Sequence, residues 1–188
     1  MKELYIIRHA KASEDYINIQ DFDRPLKSRG ILHAHELSRN LKEKNVMPHL
    51  IIASPAARAL QTAHIFALNL DYPLEKIQLS KVVYEAYVEN LLNVLEAVSD
   101  EIQKVFLVGH NPSVTNLANY LLDSHTNEIV TCGIVCIKLN VDSWKNLGQN
   151  KHQLNYFMFP LKKVIDKINE EKLLIVSTDK SIDDAPKI

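Results

Sequence analysis

Glycine is scarce in this 188-residue chain, with 4 residues, and there are only 2 cysteines, 1 tryptophan and 5 arginines. Two cysteines, Cys132 and Cys136, make no disulfide framework, and an apolar share of 46% removes the need for one. If both lie on one strand, their even spacing points them the same way, as buried thiols. A reducing, cytoplasmic setting is the resulting expectation. A basic excess is also missing: 22 Lys and Arg face 23 Asp and Glu, for a net charge of -1. The electrostatic footprint of a nucleic-acid binder is therefore absent. No apolar run approaches the roughly 18 residues of a membrane span. The N-terminal run Leu4-Tyr5-Ile6-Ile7 is too short for a signal-peptide core. Neither nucleic acid nor membrane is expected as a partner, and the oligomeric state is not legible.

The length fits one domain, at most with an appendage. Leu4 to Ile7, Leu50 to Ala53 and Val105 to Val108 are short continuous apolar runs, the pattern of buried strands. Ile31 to Lys44 carries apolar residues at helical spacing. Ser54-Pro55 predicts a helix start, with Ser as cap and Pro at the first position, running to about Leu70. Leu79 to Tyr84 reads as a short strand, Leu91 to Val98 as a helix, and Pro112-Ser113 as the start of a helix ending near Leu122. Ile134 to Leu139 and Leu154 to Phe159 read as further strands. Strands alternating with helices predict an α/β sheet covered on both faces.

Ligands of such sheets bind where strands end, and three strong strand candidates here end in unusual chemistry. The first ends in Arg8-His9. The second ends in Ser54-Pro55, with Arg58 on the next helical turn, and the third in Gly109-His110-Asn111-Pro112. Two imidazoles and two guanidinium groups thus converge on one rim. With 17 lysines in the chain, a merely solvated cation would usually be Lys. Arginine instead presents a rigid donor fork matched to a tetrahedral oxyanion, and nearby helix N-termini favour negative charge. The pattern reads as a phosphate pocket. His33 and His35, two apart on a helix, face different ways and make no metal pair. His49, His64, His125 and His152 read as surface or packing residues, and no cluster has metal-ligand spacing.

Arg8-His9-Ala10, Ser54-Pro55 with Arg58 and Gln61-Thr62-Ala63, and Val108-Gly109-His110-Asn111-Pro112 together resemble the histidine phosphatase superfamily, also called phosphoglycerate mutase-like. Asp21-Phe22-Asp23-Arg24-Pro25-Leu26, followed by Arg29-Gly30, narrows the resemblance to the SixA-type phosphohistidine phosphatases. The resemblance spans roughly Lys2 to Pro160. It implies a three-layer α/β/α sandwich with a mostly parallel central sheet over 1–160. Residues 161–188, read as a helical extension and a frayed tail, lie outside it. The sequence departs from the superfamily pattern at Ala10, where Gly is usual, and at Lys11-Ala12, where Glu-Ser often follows.

The resemblance implies a phosphatase that needs neither metal nor cofactor. His9 would attack phosphorus and become a phosphohistidine, while Arg8, Arg58 and His110 neutralise the phosphoryl oxygens. Glu85 matches the family's acidic position between Arg58 and His110 and is the preferred proton donor, with Asp21 and Asp23 as runners-up. Asn111 joins the expected substrate-binding residues. Arg24 either touches phosphate or holds its loop through a carboxylate, and Lys11 either charges the pocket mouth or is solvated. The leading substrate is protein phosphohistidine, with phosphate as product. A small phosphomonoester is the alternative, and an inactive phosphate-binding adaptor is the reading from another class.

Overall fold

A computed structural model of the chain describes residues 2–14, 18–124 and 128–160. The described strands form one six-stranded sheet. In chain order they are β1 (Lys2–Arg8), β2 (Leu50–Ala53), β3 (Gln78–Leu79), β4 (Lys104–Gly109), β5 (Ile134–Leu139) and β6 (Gln153–Met158). Across the sheet they run β3-β2-β4-β1-β5-β6. The first four run parallel to one another, whereas β5 and β6 pair antiparallel. The sheet is therefore mixed, with its parallel half carrying the three motif-bearing strands. The helices are α1 (Ser28–Glu43), α2 (Ala57–Asn69), α3 (Val88–Glu96) and α4 (Ser113–Leu122).

The period-two alternation of a strand divides the core into two layers. Leu4 and Ile6 of β1, with Val105 and Leu107 of β4, face Leu91 and Leu95 of α3, Val114 and Leu117 of α4, and Trp144. Tyr5 and Ile7, with Phe106 and Val108, face Ala34, Leu37 and Leu41 of α1 and Ala59, Ala63 and Phe66 of α2. Both faces of β1 and β4 are thus sealed, which explains their unbroken apolar runs. The result is the expected three-layer α/β/α sandwich.

Several local expectations need correction. The helix anticipated at Ser54 begins at Ala57 instead. Ser54 lies buried within the site, and Ala56 keeps an extended ψ of 137°. Leu79 to Tyr84 is not one strand: two residues pair as β3, and Lys81–Val83 form a 3-10 turn. Cys136 lies on β5, but Cys132 occupies a left-handed backbone position (φ 64°) before it. Both thiols are nevertheless free, buried and part of the same core layer. The 3-10 segment Trp144–Gln149, which buries Trp144, carries no periodicity and was not expected. The helical extension and tail read for 161–188 lie outside the described residues.

Candidate active site

Main-chain bonds lock the strand ends into one rim. The His9 amide donates to the Gly109 carbonyl (3.0 Å), the Cys132 amide to the His9 carbonyl (3.1 Å), and the Ser54 amide to the Val108 carbonyl (3.0 Å). Gln61 and Thr62 of α2 fasten the loop leaving β1. The Ala10 amide donates to Thr62 Oγ1 (3.0 Å), and the Leu26 amide to Gln61 Oε1 (2.7 Å). Helix α1 packs so closely on that loop that a Cβ at Gly30 would lie 2.3 Å from the Lys11 carbonyl oxygen. Only glycine fits there.

On this rim the rings of His9 and His110 stand 5.0 Å apart between centroids. His9 Nδ1 is 2.8 Å from the Ala10 carbonyl, which can only accept, so this nitrogen carries the proton. Nε2 is left with a lone pair, and Arg58 Nε donates to it at 3.3 Å. His110 Nε2 pairs with Ser54 Oγ at 2.8 Å, while its buried Nδ1 has no hydrogen-bond partner. Burial pushes His9 down from 6.5 to about 4, helped by Arg58 and Arg8 and opposed by the Ala10 carbonyl and Asp21. Burial, with His9 and Arg58 adding to it, pushes His110 down to about 3. Both rings are therefore neutral near neutral pH.

The arginines face carboxylates. Arg58 donates from Nη2 to Asp21 Oδ2 (2.8 Å) and from Nη1 to the Asp21 carbonyl (2.5 Å). Asp21 also accepts from Arg24 Nη1 (2.9 Å) and from the Tyr84 hydroxyl (3.1 Å). Partial burial works to raise the Asp21 carboxyl, but these donors, Arg58 foremost, hold it below the usual carboxylate value. Arg8 pairs with Glu128 (2.9 Å) and donates to the Ile129 carbonyl (2.7 Å), leaving its buried Nε without a partner. Asn111 donates to both Glu128 and the Ile129 carbonyl, each at 2.9 Å, and its own carbonyl accepts from Thr115. The Asn111-Pro112 peptide is cis.

A cavity of about 450 Å³ borders this cluster on its Arg58 and His110 side, lined also by Asp21, Tyr84, Glu85 and Asn111 but not by His9 or Arg8. The remaining expected residues distribute unevenly. Glu85 borders the cavity with an exposed carboxylate and no hydrogen-bond partner among the described residues. Arg24 is committed to its loop, through Asp21 and the Ser13 carbonyl (2.9 Å). Lys11 turns to Glu14 (2.9 Å) and borders a neighbouring cavity rather than this one. Asp23 is exposed within the turn Asp21–Asp23. Among the described residues, no group of three or more His, Cys, Asp or Glu could hold a metal ion.

Sequence reasoning missed Tyr84 and Glu128 and gave Ser54 a helix-capping role. Their partners lie 63, 17 and 56 residues away in the chain, and no local pattern reports such pairings. Asp21 was singled out as an acid, not as the acceptor that Arg58 holds. Its spacing of three residues from Arg24 was the one local signal of a pair.

Known proteins resemble this chain in sequence and in fold. A model of the histidine phosphatase superfamily, branch 1, matches residues 4–80, which include Arg8, His9 and Arg58. An uncharacterized chloroplastic protein of Arabidopsis thaliana is 25% identical over 152 residues, covering 77% of this chain and 69% of that one. A candidate phosphohistidine phosphatase SixA of Agrobacterium tumefaciens superposes with a TM-score of 0.70 at 26% identity, over 85% of this chain and 99% of that one. The protein histidine phosphatase SixA complexed with tungstate shares the fold, with a TM-score of 0.72 at 24% identity over 84% and 97% of the two chains. No helix among the described residues is long and apolar enough to cross a membrane. Residues 4–80 thus match the histidine phosphatase superfamily, branch 1, and the chain as a whole is similar in fold to the SixA phosphatases.

Proposed function

We propose that this protein is a metal-independent phosphatase that removes the phosphoryl group of protein phosphohistidine through a phosphohistidine on His9. The single observation that carries this reading is the tautomer of His9. Its Nδ1–H is held by the Ala10 carbonyl, and its Nε2 lone pair faces Arg58 with the His110 ring 5.0 Å away. A neutral imidazole with one unprotonated nitrogen is a nucleophile at neutral pH.

The step balances simply. Nε2 donates its lone pair to phosphorus, the bond to the leaving group breaks, and the leaving atom departs with that electron pair and takes up a proton. Charge spread over the equatorial oxygens is met by Arg8, Arg58 and His110, replacing the carboxylates that those arginines hold in the free protein. Water then attacks the phosphohistidine, releasing phosphate and restoring Nε2. Guanidinium groups supply the charge neutralisation that a divalent cation supplies in other phosphoryl transfers. Tungstate in a SixA of the same fold is a tetrahedral oxyanion of this kind. Glu85, exposed on the cavity wall, donates the proton when the leaving group is an alkoxide. Imidazole is a far better leaving group and needs that acid less. Two buried free thiols are consistent with a reducing, cytoplasmic setting.

The deciding experiment compares kcat/KM on a phosphohistidine protein with that on a panel of sugar and nucleotide phosphates, with and without EDTA. The reading predicts preference for the phosphohistidine protein and no effect of EDTA. Preference for a small phosphomonoester, or loss of activity with EDTA, overturns it.

A further inference from the structure

A second cavity of about 540 Å³ is bordered by Lys11, of the loop leaving β1. Lys11, Lys27, Arg29, His33, Val130 and Phe159 are among the residues that border it. Three of these are cations from a chain whose net charge is -1. Helix α1 begins here. Its N-cap, Lys27, offers no side-chain capping bond, and its first turn holds no acidic residue, so no side chain of the helix's own first turn offsets its positive end. An independent feature points to a ligand. His33 is only 7% exposed, borders the cavity, and its Nε2 has no hydrogen-bond partner. Buried polar atoms of this kind are normally paired. Burial, with Arg29 adding to it and Glu36 opposing it, also pulls the His33 ring below its ordinary value.

We infer that this cavity is a docking subsite for an acidic segment of the polypeptide whose phosphohistidine enters the catalytic cavity. The inference rests on the phosphatase reading above and adds to it what the enzyme recognises beyond the phosphoryl group. Cations along the cavity take a carboxylate, and Val130 and Phe159, 53% and 56% exposed, offer apolar surface to the backbone and neighbouring side chains. A free inorganic anion would have no use for that apolar wall. Lys11 is two residues beyond His9 in the chain, a backbone separation of at most about 7.6 Å. An acidic residue within about three positions of the phosphohistidine reaches the subsite. A substrate carboxylate replaces Glu14 on Lys11, an exchange of one exposed ion pair for another with little intrinsic cost.

The test uses two phosphohistidine peptides that differ only in Asp or Asn at the flanking positions. It also uses p-nitrophenyl phosphate as a small substrate, and the double variant Lys27→Ser/Arg29→Glu. Ser is a good helix cap and Glu suits a first helical turn, so the variant retains α1. The full chain turns over the Asp peptide with a kcat/KM about tenfold above that of the Asn peptide, through KM. The variant loses that ratio, with its rate on p-nitrophenyl phosphate within about twofold. Equal rates on the two peptides, or a ratio unchanged in the variant, overturn the subsite. If neither peptide is hydrolysed while p-nitrophenyl phosphate is, the phosphohistidine reading fails on its own. The subsite is then judged by competition: stronger inhibition of p-nitrophenyl phosphate hydrolysis by the Asp peptide upholds it, and equal inhibition refutes it.

Discussion

Asp21 and Arg58 are joined twice, through the Asp21 carboxylate at 2.8 Å and its carbonyl at 2.5 Å. In the free protein the carboxylate thus occupies a donor fork that a phosphoryl group would need. Asp21 is about half exposed, so the pair is a modest rival. Asp21→Asn removes the charge and keeps the shape. Tungstate or phosphate should then inhibit about fivefold more tightly, read as a lower inhibition constant. Weaker inhibition would mean that Asp21 chiefly holds Arg58 in its working position.

The lowered histidines set the pH behaviour. His9 is neutral above about 4, so the acid limb of kcat/KM attributable to the enzyme should fall near 4. A limb centred on the ordinary 6.5 would show that His9 is not held as described. Stability moves in the same sense. Unfolded histidines take protons near 6.5, whereas folded His9 and His110 resist until about 4 and about 3. The unfolded state binds more protons across this window, so stability is full above 6.5 and lost as pH falls through it. Urea midpoints should decline from pH 7 to pH 4, and His9→Ala/His110→Ala should flatten that decline.

Glu85 distinguishes the two leaving groups. Glu85→Gln should slow a phosphomonoester by about a hundredfold and a phosphoramidate by less than about tenfold, since only the alkoxide depends on the acid. Rates measured on both substrates check this. Equal losses would remove Glu85 from the role of proton donor.

The legible parts of the molecule are those where chemistry follows directly on an apolar run. Val105 to Val108 is buried on both faces, and its end delivers His110; Leu4 to Ile7 does the same for His9. The start of α2 misled because Ser54 has the composition of a cap. Its hydroxyl instead engages His110 and the Ala56 amide, and the chain stays extended to Ala56. Tyr84 and Glu128 were invisible because their roles arise from contacts across long stretches of chain, set by the packing of loops rather than by any period. Lys11 shows the converse. Its place two residues after His9 suggested the catalytic mouth, but its side chain pairs with Glu14 and borders the other cavity.

The central claim concerns a covalent bond between phosphorus and His9. Rapid quenching during turnover of a radiolabelled substrate, followed by peptide mapping, tests it most directly. The account predicts label on His9 alone, stable to alkali and lost in acid, with neither label nor turnover in a folded His9→Ala protein. Label on any other residue, or turnover that survives His9→Ala, would contradict it.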